Sequence, residues 1–175
     1  MWLVALLVFV LVTGGLGGAI VVTNQISTSQ YAARVAAGEG IGSLVIPRLG
    51  DTAVPILPGT NPESLRAGVG WYESGALPGA IGNCAIAGHR LGWGQPFAHL
   101  DTLQAGDEVR VTTPEATYTY KIITPPTVVS GDETDVLAAV PGEPGRTPTK
   151  ALITLTTAAS WLPSPNRLVV VGELA

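Results

Sequence analysis

The chain has 175 residues, 13 acidic against 9 basic, and a formal net charge of −4. No charged residue precedes Arg34 and no basic stripe follows it, which excludes nucleic acid as the expected partner. A single cysteine, Cys84, excludes an intramolecular disulfide and a Cys-rich metal framework, and two histidines, His89 and His99, leave little for zinc.

Residues Trp2 to Val22 are uncharged and rich in Leu, Val, Ala and Ile. As a helix this run would reach roughly 31 Å, the thickness of a bilayer core. It is longer than the apolar centre of a cleaved signal peptide, about 7–15 residues. Residues 1–23 are therefore expected to form a transmembrane signal anchor in contact with membrane lipid. Its glycines, Gly14, Gly15, Gly17 and Gly18, would let another helix approach closely, although glycine is also simply tolerated in such segments. Residues 24–42 read as a stalk or linker, with a short helix around Ser29 to Ala37 ended by Gly38, Gly40 and Gly42.

From Ser43 the pattern changes to short β-type runs cut by Pro and Gly. The expected strands are Ser43–Ile46, Thr52–Leu57, Gly82–Ala87, Glu108–Thr112, Thr117–Ile123, Ala151–Thr157 and Arg167–Glu173. Tyr118, Tyr120 and Ile122 alternate with Thr119, Lys121 and Ile123, as on a half-buried strand. Pro58–Gly59, Pro78–Gly79, Gly106–Asp107 and Pro141–Gly142 supply turns. Prolines spread through this part argue against long helices, leaving room for one-turn helices such as one around Phe97–Leu103. The reading is an all-β barrel or sandwich over residues 43–175. Thr124 to Lys150 is the longest stretch without a clear strand, and it reads either as a substrate-covering loop or as a plain surface excursion.

The residues with chemistry stand in order. His89 follows a β run and a glycine in Gly88-His89-Arg90. The run Thr154-Leu155-Thr156-Thr157 ends on Ala158, and Arg167 opens the last strand nine positions later. This order resembles the sortase family, whose members carry a histidine after a strand, a Thr-Leu-x-Thr-Cys motif ending another, and an arginine opening the last. The surrounding text is similar to class E: Val54-Pro55, Pro58-Gly59-Thr60, Tyr72, Ala76-Leu77-Pro78-Gly79, Gly82-Asn83, Pro96-Phe97, Leu103 and Gly106-Asp107-Glu108. The resemblance covers roughly Ser43 to Leu174.

The resemblance implies a closed eight-stranded β-barrel with short helices, behind one N-terminal transmembrane helix and facing the extracellular side. It implies a cysteine transpeptidase that cleaves a Leu-Ala-x-Thr-Gly or Leu-Pro-x-Thr-Gly-like sorting signal between Thr and Gly. The acyl group would pass to a cell-wall precursor amine or a pilin Lys. Position 158 would be the nucleophile. His89 would be the general acid/base, since an imidazolium favours a neighbouring thiolate and protonates a leaving amine. Arg167, which keeps its charge, suits oxyanion stabilisation. Thr157 is expected to offer its hydroxyl near the reacting carbonyl, and Tyr72 to contact the second residue of the signal. No metal or organic cofactor is indicated. Some sortases bind calcium, but no carboxylate cluster here forces it.

Alanine has no nucleophilic atom, so no acyl-enzyme forms at Ala158. Cys84 lies five residues before His89 on the same run, which points it to the opposite face roughly 16 Å away, as a small core residue. Nothing marks Ser160 as activated. Retention of His89, Thr157 and Arg167 favours an engineered replacement of cysteine in an otherwise complete site. The alternative is a natural pseudoenzyme that binds sorting signals without cleaving them. An interaction barrel with no peptide site, and a Cys-dependent L,D-transpeptidase acting on peptidoglycan, are further alternatives.

Overall fold

A computed structural model describes residue 37 and residues 40–175. The expected anchor and nearly all of the expected stalk lie outside these residues. Among the described residues no helix is long and apolar enough to cross a membrane.

The strands are β1 (Gly42–Ile46), β2 (Gly50–Pro58), β3 (Val69–Trp71), β4 (Gly82–Ala87), β5 (Glu108–Thr112), β6 (Thr117–Ile122), β7 (Thr127–Val129), β8 (Ala151–Ala158) and β9 (Arg167–Leu174). They pair in the order β6-β5-β1-β2-β3-β4-β8-β9, and a β6–β9 pairing closes this ring of eight into a barrel. The short β7 is the addition. It pairs with β9 at residues 167–169, whereas β6 pairs with β9 at residues 172–174. β9 thus passes from one partner to the other part-way along its length.

Two neighbouring pairs are parallel, β2–β3 and β4–β8. Each needs a crossover connection, since a tight turn joins only antiparallel strands. The first crossover contains α1 (Pro62–Ala67). Asn61 caps it, its side-chain oxygen accepting from the amides of Glu63 and Ser64 at 3.0 Å. Pro62 opens the helix where no amide partner is needed. The second crossover carries the chain from β4 around most of the barrel to β8.

Inward residues alternate along each strand: Cys84 and Ile86 on β4, Ile153 and Leu155 on β8, Leu168 and Val170 on β9. Tyr120 and Phe97 are the largest fully buried side chains. The Tyr120 hydroxyl accepts the Gly79 amide at 2.6 Å, so its polar end is satisfied inside the core.

The expected closed barrel is present, and the seven expected strands are there with ends shifted by two residues or fewer. β3 was not expected. It has three residues, one of them Gly70, which leaves no alternation to read. β7 and a 3-10 turn at Asp135–Leu137 lie inside the stretch expected to lack strands. The one-turn helix expected near Phe97–Leu103 is a 3-10 turn at Leu100–Thr102.

Candidate active site

Strand alternation decides which face carries the site. With Cys84 and Ile86 inward on β4, Asn83, Ala85 and Ala87 point outward. With Ile153 and Leu155 inward on β8, Thr154, Thr156 and Ala158 point outward. On β9 the outward set starts at Arg167, directly opposite Ala158 in the β8–β9 register. The Ala159 amide donates to the Asn166 carbonyl at 3.1 Å, so the adjacent Ala158/Arg167 pair is a non-hydrogen-bonded one. Side chains approach most closely in such pairs.

The parallel β4–β8 register sets Ala87 beside Thr156. It continues past the end of β4, where the Gly88 amide donates to the Thr156 carbonyl at 3.1 Å. His89 is the next residue, one step beyond the last bond of this ladder. His89 is half-buried, and its carbonyl accepts the Phe97 amide at 3.1 Å. Gly88 is required here by packing. A Cβ at this position would meet the Phe97 ring at 2.6 Å.

Tyr72 follows β3. Its amide donates to the Ala85 carbonyl at 3.0 Å, which continues the β3–β4 pairing on the outward face. Burial pushes the Tyr72 phenol above its ordinary value, and the positive charge of Arg167 pulls it partly back. His89 follows the end of β4, and Ala158, Arg167 and Tyr72 therefore share one outward face.

Thr157 does not. It lies on the inward face, 3% exposed, and its hydroxyl donates to the Gly88 carbonyl at 2.8 Å. The hydroxyl expected near the reacting carbonyl is, in this geometry, given to Gly88. Thr157 instead ties the end of β8 to the residue before His89. Cys84 is fully buried in the core and its thiol is pushed up to about 12 by burial. It faces away from His89, as its odd offset in sequence required.

Sequence reasoning missed Arg90. It is only 5% exposed, an unusual state for a charged side chain. One guanidinium nitrogen donates to the carbonyls of Ala158 at 3.2 Å and Ala159 at 3.1 Å. The other pairs with Asp101 at 2.8 Å. The Trp161 ring lies 5.2 Å from the guanidinium carbon and meets the His99 ring edge-on at 6.1 Å. The Arg90 side chain thus joins the end of β8 to the turn at Leu100–Thr102.

The outward face is covered at the Asn83 end. Asn83 donates to the carbonyls of Val136 and Ala138 at 3.2 and 3.0 Å, holding the 134–140 segment over the sheet. A cavity of about 260 Å³ lies under that cover, lined in part by Ser74, Asn83, Leu137 and Pro148. Another of about 250 Å³ opens between the β1–β2 hairpin and residues 94–97. Neither is lined by His89, Ala158 or Arg167. Among the described residues no group of His, Cys, Asp and Glu is arranged to hold a metal ion.

Comparison with known proteins agrees with this geometry. The Sortase domain family model matches residues 44–175. Sortase SrtE1 of Streptomyces coelicolor is 34% identical over 144 residues, covering 78% of this chain and 41% of the relative. Sortase SrtE2 of the same organism is 31% identical over 141 residues, covering 77% of this chain and 56% of the relative. The chain thus matches only about half the length of these relatives. Among solved structures, the SrtA sortase from Actinomyces oris superposes with a TM-score of 0.73 at 38% identity, over 79% of this chain and 81% of that one. Sortase E1 from Streptomyces coelicolor, solved with a tripeptide in the active site, gives 0.71 at 35%, over 79% and 89%. With the barrel, the ordered residues and the relatives in agreement, the chain belongs to the sortase family and is of the class E type.

Proposed function

We propose that the chain is the scaffold of a membrane-anchored cysteine transpeptidase whose nucleophile position holds Ala158. As written it binds a sorting signal on this outward face and does not cleave it. The observation that carries this reading is the register pair Ala158/Arg167, with His89 following the last bond of the β4–β8 ladder.

With cysteine at position 158, each group has work that its chemistry fits. The thiolate attacks the carbonyl carbon of the signal's Thr, and the oxygen takes the electron pair. Arg167 balances that oxyanion with its guanidinium charge. Collapse breaks the C–N bond, and the His89 imidazolium gives its proton to the leaving Gly amine. The product is a thioester on residue 158. A cell-wall precursor amine or a pilin Lys then attacks it, His89 takes up the amine's proton, and the thiolate leaves. A signal of the Leu-Ala-x-Thr-Gly or Leu-Pro-x-Thr-Gly type is the substrate class, with Tyr72 against its second residue. Trp2–Val22 would hold the chain in the membrane by a single pass with the barrel outside, which protease accessibility on intact cells tests.

The deciding experiment incubates this chain and its Ala158→Cys variant with both peptides and an amine, with products read by mass spectrometry. Acyl-enzyme and transpeptidation product from the variant alone support the proposal. Binding without reaction in both points to a natural binding module. A folded variant that neither binds nor reacts sinks the peptide-site reading.

A further inference from the structure

The β4–β8 ladder runs out beside the site. On the β4 side of β8, the Thr156 carbonyl accepts the Gly88 amide, the last backbone donor from that strand. The next carbonyl facing that way belongs to Ala158, and there the β4 chain has already turned away. The donor that reaches it is the Arg90 guanidinium, at 3.2 Å, which also takes the Ala159 carbonyl at 3.1 Å. A side chain therefore continues the ladder where backbone no longer can. Its position is over-determined, since Asp101 holds the second nitrogen at 2.8 Å and Trp161 covers the group.

We propose that Arg90 is a positioning residue for position 158: it fixes the end of β8, and with it the direction of the residue-158 side chain, and sets a permanent positive charge beside that side chain. Two facts make this more than a surface ion pair. Arg90 is 5% exposed, so its charge acts through little water. Its contacts are to the backbone of the reacting position itself, so displacement of the guanidinium moves that position directly. Asp101 offsets part of that charge. Its side chain is 45% exposed, so it holds the fork in place while water screens much of its own charge.

The inference rests on the proposed function only in taking residue 158 as the reacting position, and its test needs no sorting signal. The test uses the Ala158→Cys variant as the parent. The measurement is the rate of thiol alkylation by iodoacetamide against pH, located at position 158 by peptide mapping. Cys84 stays silent, being fully buried with its thiol pushed up to about 12. The charged and titratable groups around position 158 are His89, Arg90, His99, Asp101, Arg167 and Tyr72, so the midpoint belongs to the cluster. Only the Arg90–Asp101 pair is changed.

In the parent carrying Arg90→Met, the alkylation midpoint is expected to rise by about one pH unit, roughly a tenfold slower reaction below the midpoint. In the parent carrying Asp101→Asn, the midpoint is expected to fall, because the positive charge loses its counter-ion. Opposite signs are what a fixed charge beside the thiol requires, whereas a merely structural contact gives no such pair. A folded Arg90→Met variant with an unmoved midpoint overturns the inference. If that variant does not fold, Asp101→Asn decides, and a midpoint that stays or rises overturns it. Should the parent alkylate with these shifts yet join no peptide to an amine, the transpeptidase reading fails while the role of Arg90 stands.

Discussion

The Thr157 hydroxyl donates to the Gly88 carbonyl at 2.8 Å, joining the residue before position 158 to the residue before His89. This bond lies on the inward side of the sheet, and position 158 lies on the outward side. It sets the spacing between position 158 and His89. Thr157→Val keeps the shape and removes the donor, leaving a buried carbonyl short of a partner. The expected loss is about 1–2 kcal/mol of stability, measured by urea unfolding. Thr157→Ser should recover most of it. In an Ala158→Cys background, the Val change should lower kcat more than it raises KM, since no substrate contact is removed.

Tyr72 and Arg167 report on one another. The phenol is raised by burial and lowered by the Arg167 charge. Arg167→Ala removes the lowering cause, so the Tyr72 phenol should titrate at still higher pH. Ultraviolet difference titration against a Tyr72→Phe control reads this directly. A midpoint that falls or stays would place the guanidinium out of reach of the ring.

Alkaline stability should depend on Cys84. Its thiol is raised from 9.0 to about 12 in the folded chain, with burial as the cause. Below the unfolded value both states hold the proton and the stabilisation is complete. Above it the unfolded chain releases its proton first, so stability falls between about pH 9 and pH 12 by up to about 1.4 kcal/mol per pH unit. Cys84→Ala should flatten that slope, even though it lowers stability at neutral pH by opening a small cavity. Urea unfolding at stepped pH separates the two effects.

Asn83 should act as a latch. Its amide supplies the two bonds that hold the 134–140 segment over the outward face. Asn83→Ala should leave the barrel folded and make the Thr124–Lys150 stretch cut faster in limited proteolysis, by about tenfold if the two bonds contribute about 1.4 kcal/mol together. Unchanged cutting would mean that other contacts hold the cover.

Much of this molecule was legible in its sequence. Alternation in Thr117–Ile123 and the apolar run before Ala158 gave strands, because a half-buried or fully buried strand writes its burial into residue type. The Ala158/Arg167 pairing came from the structure, although both residues were read as standing at strand ends. β3 and β7 were illegible for a plain reason. Strands of three residues have no period, and their pairing is decided by neighbours far along the chain. α1 was readable and was passed over: Asn61-Pro62-Glu63 is a helix-start signal. The bond from Thr157 to Gly88 was not foreseen, because the motif outweighed the parity of its position. Once Ile153 and Leu155 are inward, Thr157 is inward too. Arg90 left only the trace of standing next to His89, and nothing in a sequence says that an arginine will be buried.

The passage of β9 from β7 to β6 has a further consequence. Barrel closure uses residues 172–174, and the Arg167 end is paired elsewhere, with β7. Ile123 bridges the two pairings, its amide donating to the Val171 carbonyl at 2.9 Å, and residues 130–150 leave this edge only after β7. Insertions, deletions and drift in residues 130–150 therefore alter what lies over the outward face without touching the paired residues of that edge. In such an architecture, recognition is free to diversify among descendants while the framework that keeps them folded is inherited unchanged.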